Sequence, residues 1–249
     1  MHLVGIDLAW GDLRRSGVAV VDGDGSLVDI ESARDDSSIA AVVQPYAGDE
    51  CLVAIDAPLI VTNPTGQRPC ETELNRDFRR FEAGAHPANT GKPEFANIPR
   101  GARLAHRLGL DMDPQSRGKR RAIEVYPHPA TVALFGLGRT LKYKHKAGRS
   151  FDHLKSELLA LMQRLEGLAN AEVPLKLADH PGWAGRRREV ETATRKCQLR
   201  RVEDPVDAVV CAYVALYSVR RPDDITVYGD YPTGYIVTPT LPEDLLAGF

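Results

Sequence analysis

The chain has 249 residues, 43% of them hydrophobic and 27% charged, and its 32 basic and 34 acidic residues leave a formal net charge of −2. This size and composition suit a single globular domain with a substantial core. No run approaches about 18 consecutive apolar residues and no signal peptide opens the chain, so we exclude a membrane partner and expect a soluble, cytoplasmic protein. The four cysteines form no CxxC pair, which argues against a zinc site or a disulfide framework.

The first part of the chain predicts mostly strands. Short β-rich runs lie at 2–8, 16–21 and 26–31, and turn residues such as those at 22–25 (DGDG) separate them. We expect these runs to form an antiparallel meander. A short helix is predicted at 37–46, and the apolar run CLVAIDA at 51–57 is typical of a strand buried on both faces.

Residues 62–121 differ in composition from the rest of the chain, because they are rich in Pro, Gly, Asn and Arg. Short helices are predicted there around Leu74 and around Leu104. A segment of this length more often forms a lid or a binding element than a plain connection. We therefore predict one domain over 1–249 with a lid-like insertion at 62–121.

The second half of the chain alternates strand and helix patterns. The run AIEVY at 122–126 predicts a buried strand, and a helix is expected from about Pro129. Leucines at helical spacing predict an amphipathic helix at about 150–169, and a nearly all-apolar run predicts a last helix that begins at Asp204-Pro205. Late β-structure is expected at 225–228 and 234–238. These elements predict an α/β fold with a mixed sheet, in which parallel strands follow the meander and helices flank the sheet.

Acidic residues recur where the predicted strands end and where the last helix is expected to begin. Asp7, Asp56 and Glu124 each follow an Ile in a predicted strand, and Asp204 and Asp207 stand at the predicted helix start. Parallel strands that end in acids gather those groups at one edge of a sheet, where open α/β folds bind ligands. Oxygen ligands without clustered His or Cys favour Mg²⁺ or Mn²⁺, and they suit two-metal phosphoryl chemistry with ions about 3.5–4 Å apart.

Each of these acids also has a structural explanation. Asp204 before a proline fits an N-cap, and Asp207 in the first turn of a helix favours the helix dipole. Asp56 before Ala-Pro fits a turn, and Glu124 is as consistent with a salt bridge to a neighbouring arginine, Arg120 or Arg121, as with catalysis. Asp7 is the hardest to explain structurally, because a buried carboxylate within a strand must find a distant partner.

Basic and aromatic residues supply candidates for substrate binding. The stretch 139–149 contains no acid, and further basic clusters lie at 117–121 and 186–201. These stretches suit either a phosphate backbone or an ordinary solvated surface. The residues that we predict to contact substrate are Trp10, Arg68, Lys119, Arg121, His128, Lys142 and Lys144. We expect the partner to be a nucleic acid or a small phosphate-bearing substrate, and the oligomeric state is left open.

The motifs GIDLAWG, AIDAPL, IEVYPHPA and EDPVDAVVCAYVA occur in an order that resembles an uncharacterised family of predicted ribonuclease H-like nucleases. The arrangement of acids is similar to that of the resolvases in the ribonuclease H-like superfamily. The resemblance implies a ribonuclease H-like mixed sheet with an inserted segment and a nuclease that hydrolyses phosphodiester bonds by a two-metal mechanism. It also implies that Asp7 bridges two Mg²⁺ or Mn²⁺ ions, that Asp56 and Asp207 complete the site, and that Asp204 lies beside it.

Other functions remain open from the sequence. A phosphotransferase of the sugar-kinase and actin-like superfamily also carries an early Asp in its first strand. A catalytically inactive module that binds nucleic acid or another ligand would pair the carboxylates with arginines and have no turnover.

Overall fold

A computed structural model of the chain describes residues 1–9 and 15–246. Its central sheet has five strands: β1 His2–Asp7, β2 Ser16–Asp22, β3 Leu27–Ala33, β4 Cys51–Asp56 and β5 Arg120–Glu124. They lie in the order β3-β2-β1-β4-β5. The first three strands form an antiparallel meander, and β4 and β5 extend the sheet in parallel with β1. The predicted mixed α/β sheet is therefore confirmed.

Helices flank this sheet, and a separate hairpin follows the longest of them. The helices are α1 Asp36–Val43, α2 Pro69–Phe78, α3 Arg100–Arg107, α4 Pro127–Phe135, α5 Phe151–Gly167, α6 Pro181–Thr192, α7 Lys196–Arg220 and α8 Glu243–Leu246. The hairpin consists of β6 Ile225–Asp230 and β7 Gly234–Pro239. None of the helices in the described part of the chain is long and apolar enough to cross a membrane.

Helix α7 lies directly on one face of the sheet, across β1, β2 and β4. Two glycines permit this close approach. A Cβ at Gly5 would lie 1.9 Å from the carbonyl oxygen of Ala208, and a Cβ at Gly17 would lie 2.0 Å from that of Asp204. Gly17 is paired with Asp7 across the β1–β2 ladder. The carboxyl end of β1 is therefore held against the acidic stretch of α7.

The opposite face of the sheet carries α1 and α3. Side chains alternate along a strand, so Arg120, which is in register with Cys51, points away from the face that carries Gly5. Arg120 lines a cleft together with Ser37 of α1 and Arg107 of α3. The sheet is thus covered on both sides, which accounts for the almost continuous burial of β1 and β4.

The segment 62–121 is tied to the rest of the molecule by buried arginines. Arg68, just before α2, binds Glu124 of β5, and Arg100 of α3 donates to the carbonyl oxygen of Ala9 at 2.6 Å. Apolar residues of α2 form a second core with the hairpin β6–β7 and with α4. The treatment of 62–121 as an insertion within one domain stays a prediction.

Several predicted boundaries are wrong. The last helix begins at Lys196, not at Asp204, so Asp204 is not an N-cap and Pro205 lies inside the helix. The actual start is set by Gln198, whose side chain accepts the backbone N–H of Arg195 at 2.9 Å. The helix expected at 37–46 ends at Val43, the one expected from Pro129 begins at Pro127, and α6 was not predicted. The described cysteines are free, as expected, and only Cys197 among them is exposed.

Candidate functional site

The carboxyl ends of β1 and β4 bring two acids side by side. Asp7 and Asp56 are directly paired in the parallel register of these strands, so their side chains lie on the face that α7 covers. Helix α7 adds Asp207 together with Asp204 and Glu203, which precede it by three and four residues and therefore neighbour it on the helix surface. Asp7, Asp56, Glu203 and Asp204 line a cleft of about 760 Å³. We call this depression the acidic cleft.

The cation at the centre of these acids is Lys144. Its Nζ lies 3.1 Å from Oδ2 of Asp7 and also forms an ion pair with Oδ2 of Asp207. The Lys144 side chain is 32% exposed, whereas that of Asp207 is fully buried. The two carboxylates raise the pKa of Lys144 well above its usual value, although burial alone would lower it. Lys144 therefore stays charged and neutralises part of the acidic cluster.

The loop that carries Lys144 is held in place by further contacts. The buried Tyr143 donates its hydroxyl to Oδ1 of Asp207 at 2.5 Å. The guanidinium of Arg149 donates to the carbonyl oxygen of Lys144 at 2.7 Å, and Lys196 at the start of α7 donates to the carbonyl oxygen of Arg149 at 2.5 Å. The position of the ammonium between Asp7 and Asp207 is thus supported by hydrogen bonds on both sides.

The acids that line the acidic cleft all have raised pKa values, and burial is the largest cause for each of them. Burial raises the pKa of Asp7 to about 6, and Lys144 only partly opposes this effect. Burial and the charge of Asp7 raise the pKa of Asp204 to about 7 and that of Asp56 well above its usual value. The pKa of Glu203 is raised to about 7, mainly by burial. A group of acids shifted together is typical of a functional site.

Basic side chains surround the acidic cleft. Arg15, Arg200, Arg201 and His145 line it, and the three arginines are exposed. A second depression of about 460 Å³, here called the basic cleft, lies on the other side of Lys144. It is lined by Lys142, Lys144, Lys146, Arg149, His86, His128, His145 and Tyr126, and Glu82 is the one acid among the described residues that line it. Lys142 forms an ion pair with Glu82 at 2.7 Å.

Glu124 does not join the other acids. It is in register with Ile55 and therefore points to the sheet face opposite Asp7 and Asp56. Its partner is not Arg120 or Arg121 but Arg68, which binds it through two nitrogens at 2.6 and 2.9 Å. Arg68 also binds Glu71 at 2.9 Å, and all three side chains are buried. Alternation along β5 points Arg121 to the opposite face. Arg120 shares the face of Glu124 but lies four residues away and donates to the carbonyl oxygen of Leu108.

The buried Arg68 network lines a small third depression at the ends of β4 and β5. This apolar pocket measures about 110 Å³. It is lined by Ala57, Pro58, Ala85, Val125, Tyr126 and Ile236, and also by Asp56 and His86. Arg68 is one of the predicted substrate contacts, but its guanidinium donates to Glu71, to Glu124 and to the carbonyl oxygen of Ile60.

The remaining predicted substrate contacts are distributed over the molecule. Lys142 and Lys144 lie in the basic cleft, and so does His128, whose Nδ1 is 3.2 Å from the hydroxyl of Thr140. Lys119 and Arg121 lie at the amino end of β5, the edge of the sheet opposite the acids. Trp10 falls outside the described residues.

Sequence reasoning did not single out Glu203. It placed Tyr143, His145, Arg200 and Arg201 only within the basic stretches 139–149 and 186–201 that suit a phosphate backbone. The signal for Glu203 was available, because it stands four residues before Asp207 and hence on the same face of a helix. The same spacing relates Arg200 to Asp204. This signal was hidden by placing the start of α7 at Asp204 instead of Lys196.

A bound metal ion would require rearrangement of the acids. In the part of the chain that the structure describes, no three or more His, Cys, Asp or Glu side chains are arranged to hold a metal ion. The ammonium of Lys144 lies where such an ion would balance Asp7 and Asp207.

This geometry defines an α/β protein in which two parallel strands and the helix lying on them bring their carboxylates into one cleft with basic side chains. Residues 5–232 match the model of the family described as "Protein of unknown function (DUF429)", and the chain belongs to this family. A comparison with curated proteins gives no match.

Proposed function

We propose that the protein is a metal-dependent nuclease of ribonuclease H-like fold that hydrolyses phosphodiester bonds at the acidic cleft. The observation that carries the proposal is the composition of this cleft, where four carboxylates meet exposed arginines. Acids alone would repel a phosphodiester, and arginines alone would only bind it. The combination suits a site that binds a polyanion and also acts on it.

The strand arrangement supports the ribonuclease H-like assignment. The sequence resemblance implies a meander followed by parallel strands, and the order β3-β2-β1-β4-β5 has that form. It also implies that the first and fourth strands and a late helix contribute the acids. Asp7, Asp56 and the acids of α7 lie in these elements.

The chemistry of the donors fits Mg²⁺ or Mn²⁺, which prefer carboxylate oxygens. Oε1 of Glu203 is buried and has no hydrogen-bond partner among the described residues, so it is a donor still available to a cation. Asp7, Asp56, Glu203 and Asp204 would hold the ion, in competition with the ammonium of Lys144. A bound divalent ion supplies Lewis-acid stabilisation of negative charge on phosphoryl oxygens.

Residues of the chain itself position the substrate. Arg200 and Arg201 are exposed residues in the second turn of α7, one turn before Glu203 and Asp204. Their guanidinium groups can bind phosphate oxygens in a bidentate manner and place a phosphodiester over the acids. Arg15 and His145 line the same cleft and add positive charge to its rim.

A second candidate, a binding module without turnover, is favoured by one observation. Lys144 already pairs with Asp7 and Asp207, as a structural counter-ion would. Such a module would bind nucleic acid equally well with and without divalent ions, whereas the nuclease requires them for cleavage.

The test is hydrolysis of labelled single strands, duplexes, hybrids and four-way junctions with Mg²⁺ or Mn²⁺. The native protein is compared with Asp7→Asn and with Asp49→Asn as the matched control. Asp49 is exposed and precedes β4, so it lies at the opposite edge of the sheet. We expect the native protein and Asp49→Asn to cleave and Asp7→Asn to be inactive.

Absence of cleavage on every substrate, or equal cleavage by Asp7→Asn, would overturn the proposal. Stabilisation by a nucleoside triphosphate, without cleavage, would instead favour the phosphotransferase.

A further inference from the structure

The acidic cleft, the basic cleft and the apolar pocket share residues at their borders. Lys144 and His145 line both the acidic and the basic cleft. Asp56 lines both the acidic cleft and the apolar pocket, and Tyr126 lines both the pocket and the basic cleft. The three depressions are therefore neighbours around Asp56, Tyr126 and Lys144, and one extended ligand can reach all of them.

The basic cleft has the chemistry of a phosphate site. Four Lys and Arg side chains line it, with one acid among the described residues, Glu82, which pairs with Lys142. Lys144 is paired with Asp7 and Asp207, and Arg149 donates to backbone carbonyl oxygens, so Lys146 is the lining cation whose side chain has no partner in the part of the chain that the structure describes. Lys146 and His145 are exposed. Since Arg200 and Arg201 lie in the acidic cleft, positive charge is present on both sides of the acids. A ligand with phosphates on both sides of the reacting bond matches this distribution better than a mononucleotide does.

The apolar pocket has the chemistry of a site for one ring. Three of its polar lining residues, Arg68, Glu71 and Glu124, are paired with one another, and Glu124 also accepts the backbone N–H of Leu59 at 2.8 Å. Asp56 and His86 are its other polar lining residues in the described part of the chain. A ligand therefore meets mainly the apolar walls and the ring of Tyr126. The pocket volume of about 110 Å³ is below the volume of an apolar cavity of about 150 Å³ that holds benzene, so the pocket has room for a single ring and not for a purine.

We propose that the substrate is single-stranded nucleic acid, with one unpaired base in the apolar pocket and an adjacent phosphate in the basic cleft. This inference rests on the proposed nuclease function, because it assigns the reacting phosphodiester to the acidic cleft. A base within a duplex is stacked and paired, so it cannot enter the pocket without being extruded. An aromatic wall and a basic groove are the usual means of binding a single strand.

The test measures binding of fluorescent oligonucleotides by anisotropy, in EDTA so that no cleavage occurs. The ligands are a single strand of DNA, the same strand in RNA, an abasic strand of equal length and a duplex. Ala85→Phe fills the apolar pocket, and Ala171→Phe is its control, since Ala171 is also half-buried but lines a separate cleft. Lys146→Gln removes a charge from the basic cleft, and Lys176→Gln is its control on another exposed surface.

We expect the native protein to bind the single strand at least about tenfold more tightly than the abasic strand, since one stacked base contributes affinity of this order. Ala85→Phe should lose this preference and still bind the abasic strand. Lys146→Gln should weaken binding of both strands. It should also reduce the slope of the logarithm of the binding constant against the logarithm of salt concentration by about 0.7 per lost phosphate contact. Both controls should bind like the native protein.

Equal affinity for single strand, abasic strand and duplex would overturn this inference, and so would unchanged base preference in Ala85→Phe. The nuclease proposal fails separately, by absence of metal-dependent cleavage. Base-dependent binding without cleavage would keep the base and phosphate sites and reject the nuclease. Cleavage without base-dependent binding would keep the nuclease proposal and reject the base and phosphate sites.

Discussion

Replacing Lys144 by Met tests whether its ammonium is the counter-ion of the acidic cluster. Methionine keeps an unbranched side chain of similar length but removes the charge. Asp7 and Asp207 then lose the cation that both contact. We expect the variant to be less stable than the native protein and to regain stability when a divalent ion is added.

The size of the effect follows from the geometry. Unit charges 3.1 Å apart attract by about 5 kcal/mol at an effective dielectric constant of about 20, and desolvation offsets part of this. Removing one member of a buried ion pair costs about 3–5 kcal/mol. Lys144 is 32% exposed and Asp7 can take up a proton, so we expect about 3 kcal/mol, or a decrease in Tm of about 6–12 °C.

The assay is urea unfolding of the native protein, Lys144→Met and the control Lys176→Met, each in EDTA and in Mg²⁺. An ion that binds the folded state stabilises it by about 2.7 kcal/mol when its concentration is a hundred times Kd. Mg²⁺ should stabilise Lys144→Met more than the native protein, because no ammonium competes for the carboxylates. Equal stability of Lys144→Met and the native protein in EDTA would refute the reasoning, as would an equal response to Mg²⁺.

Three further predictions concern the fold and its pH dependence. Arg68→Met should lower the free energy of unfolding by about 3–5 kcal/mol, because Glu71 and Glu124 stay buried without their cation. In the same urea titration, the double variant Arg68→Met/Glu124→Met should show a smaller decrease in the free energy of unfolding than Arg68→Met. Gly5→Ala should lower the free energy of unfolding by about 3 kcal/mol or prevent folding, because its Cβ would overlap the carbonyl oxygen of Ala208. The control Gly48→Ala should unfold like the native protein, because a Cβ there would meet nothing within 4 Å. Burial, with Lys144, Lys142 and Arg149, lowers the pKa of His128 from 6.5 to about 3, so the unfolded chain takes up a proton before the folded one. The contribution of His128 to the free energy of unfolding should therefore be fully present above about pH 6.5. It should decrease by up to about 1.4 kcal/mol per pH unit as the pH falls toward 3. The stability difference between the native protein and His128→Gln should shrink over this range, and a difference independent of pH would contradict the assignment.

The sequence predicted the strands that position the acids because their patterns are local. The apolar runs of β1 and β4 each end in an aspartate, and the parallel register then places Asp7 beside Asp56. The turn at 22–25 likewise predicted the antiparallel pairing of β2 and β3. In each case hydrophobic periodicity and turn residues were sufficient.

The partners of the buried charges could not be predicted, because they are distant in sequence. Lys144 is 137 residues from Asp7, and Arg68 is 56 residues from Glu124. Nearby arginines looked like better partners for Glu124, but strand alternation points Arg121 to the other face. The start of α7 was misplaced for a local reason, since the Asp204-Pro205 pair resembled a helix start while Gln198 caps the true one.

The most direct test of the central claim is titration of Mn²⁺ followed by electron paramagnetic resonance, which counts free and bound ions without any substrate. The native protein, Asp7→Asn and Asp49→Asn are compared at the same concentration. If the acidic cleft is a divalent-cation centre, the native protein and Asp49→Asn bind Mn²⁺ alike, and Asp7→Asn binds it at least about tenfold more weakly. Superimposable titrations of Asp7→Asn and the native protein, or no binding by either, would contradict the account.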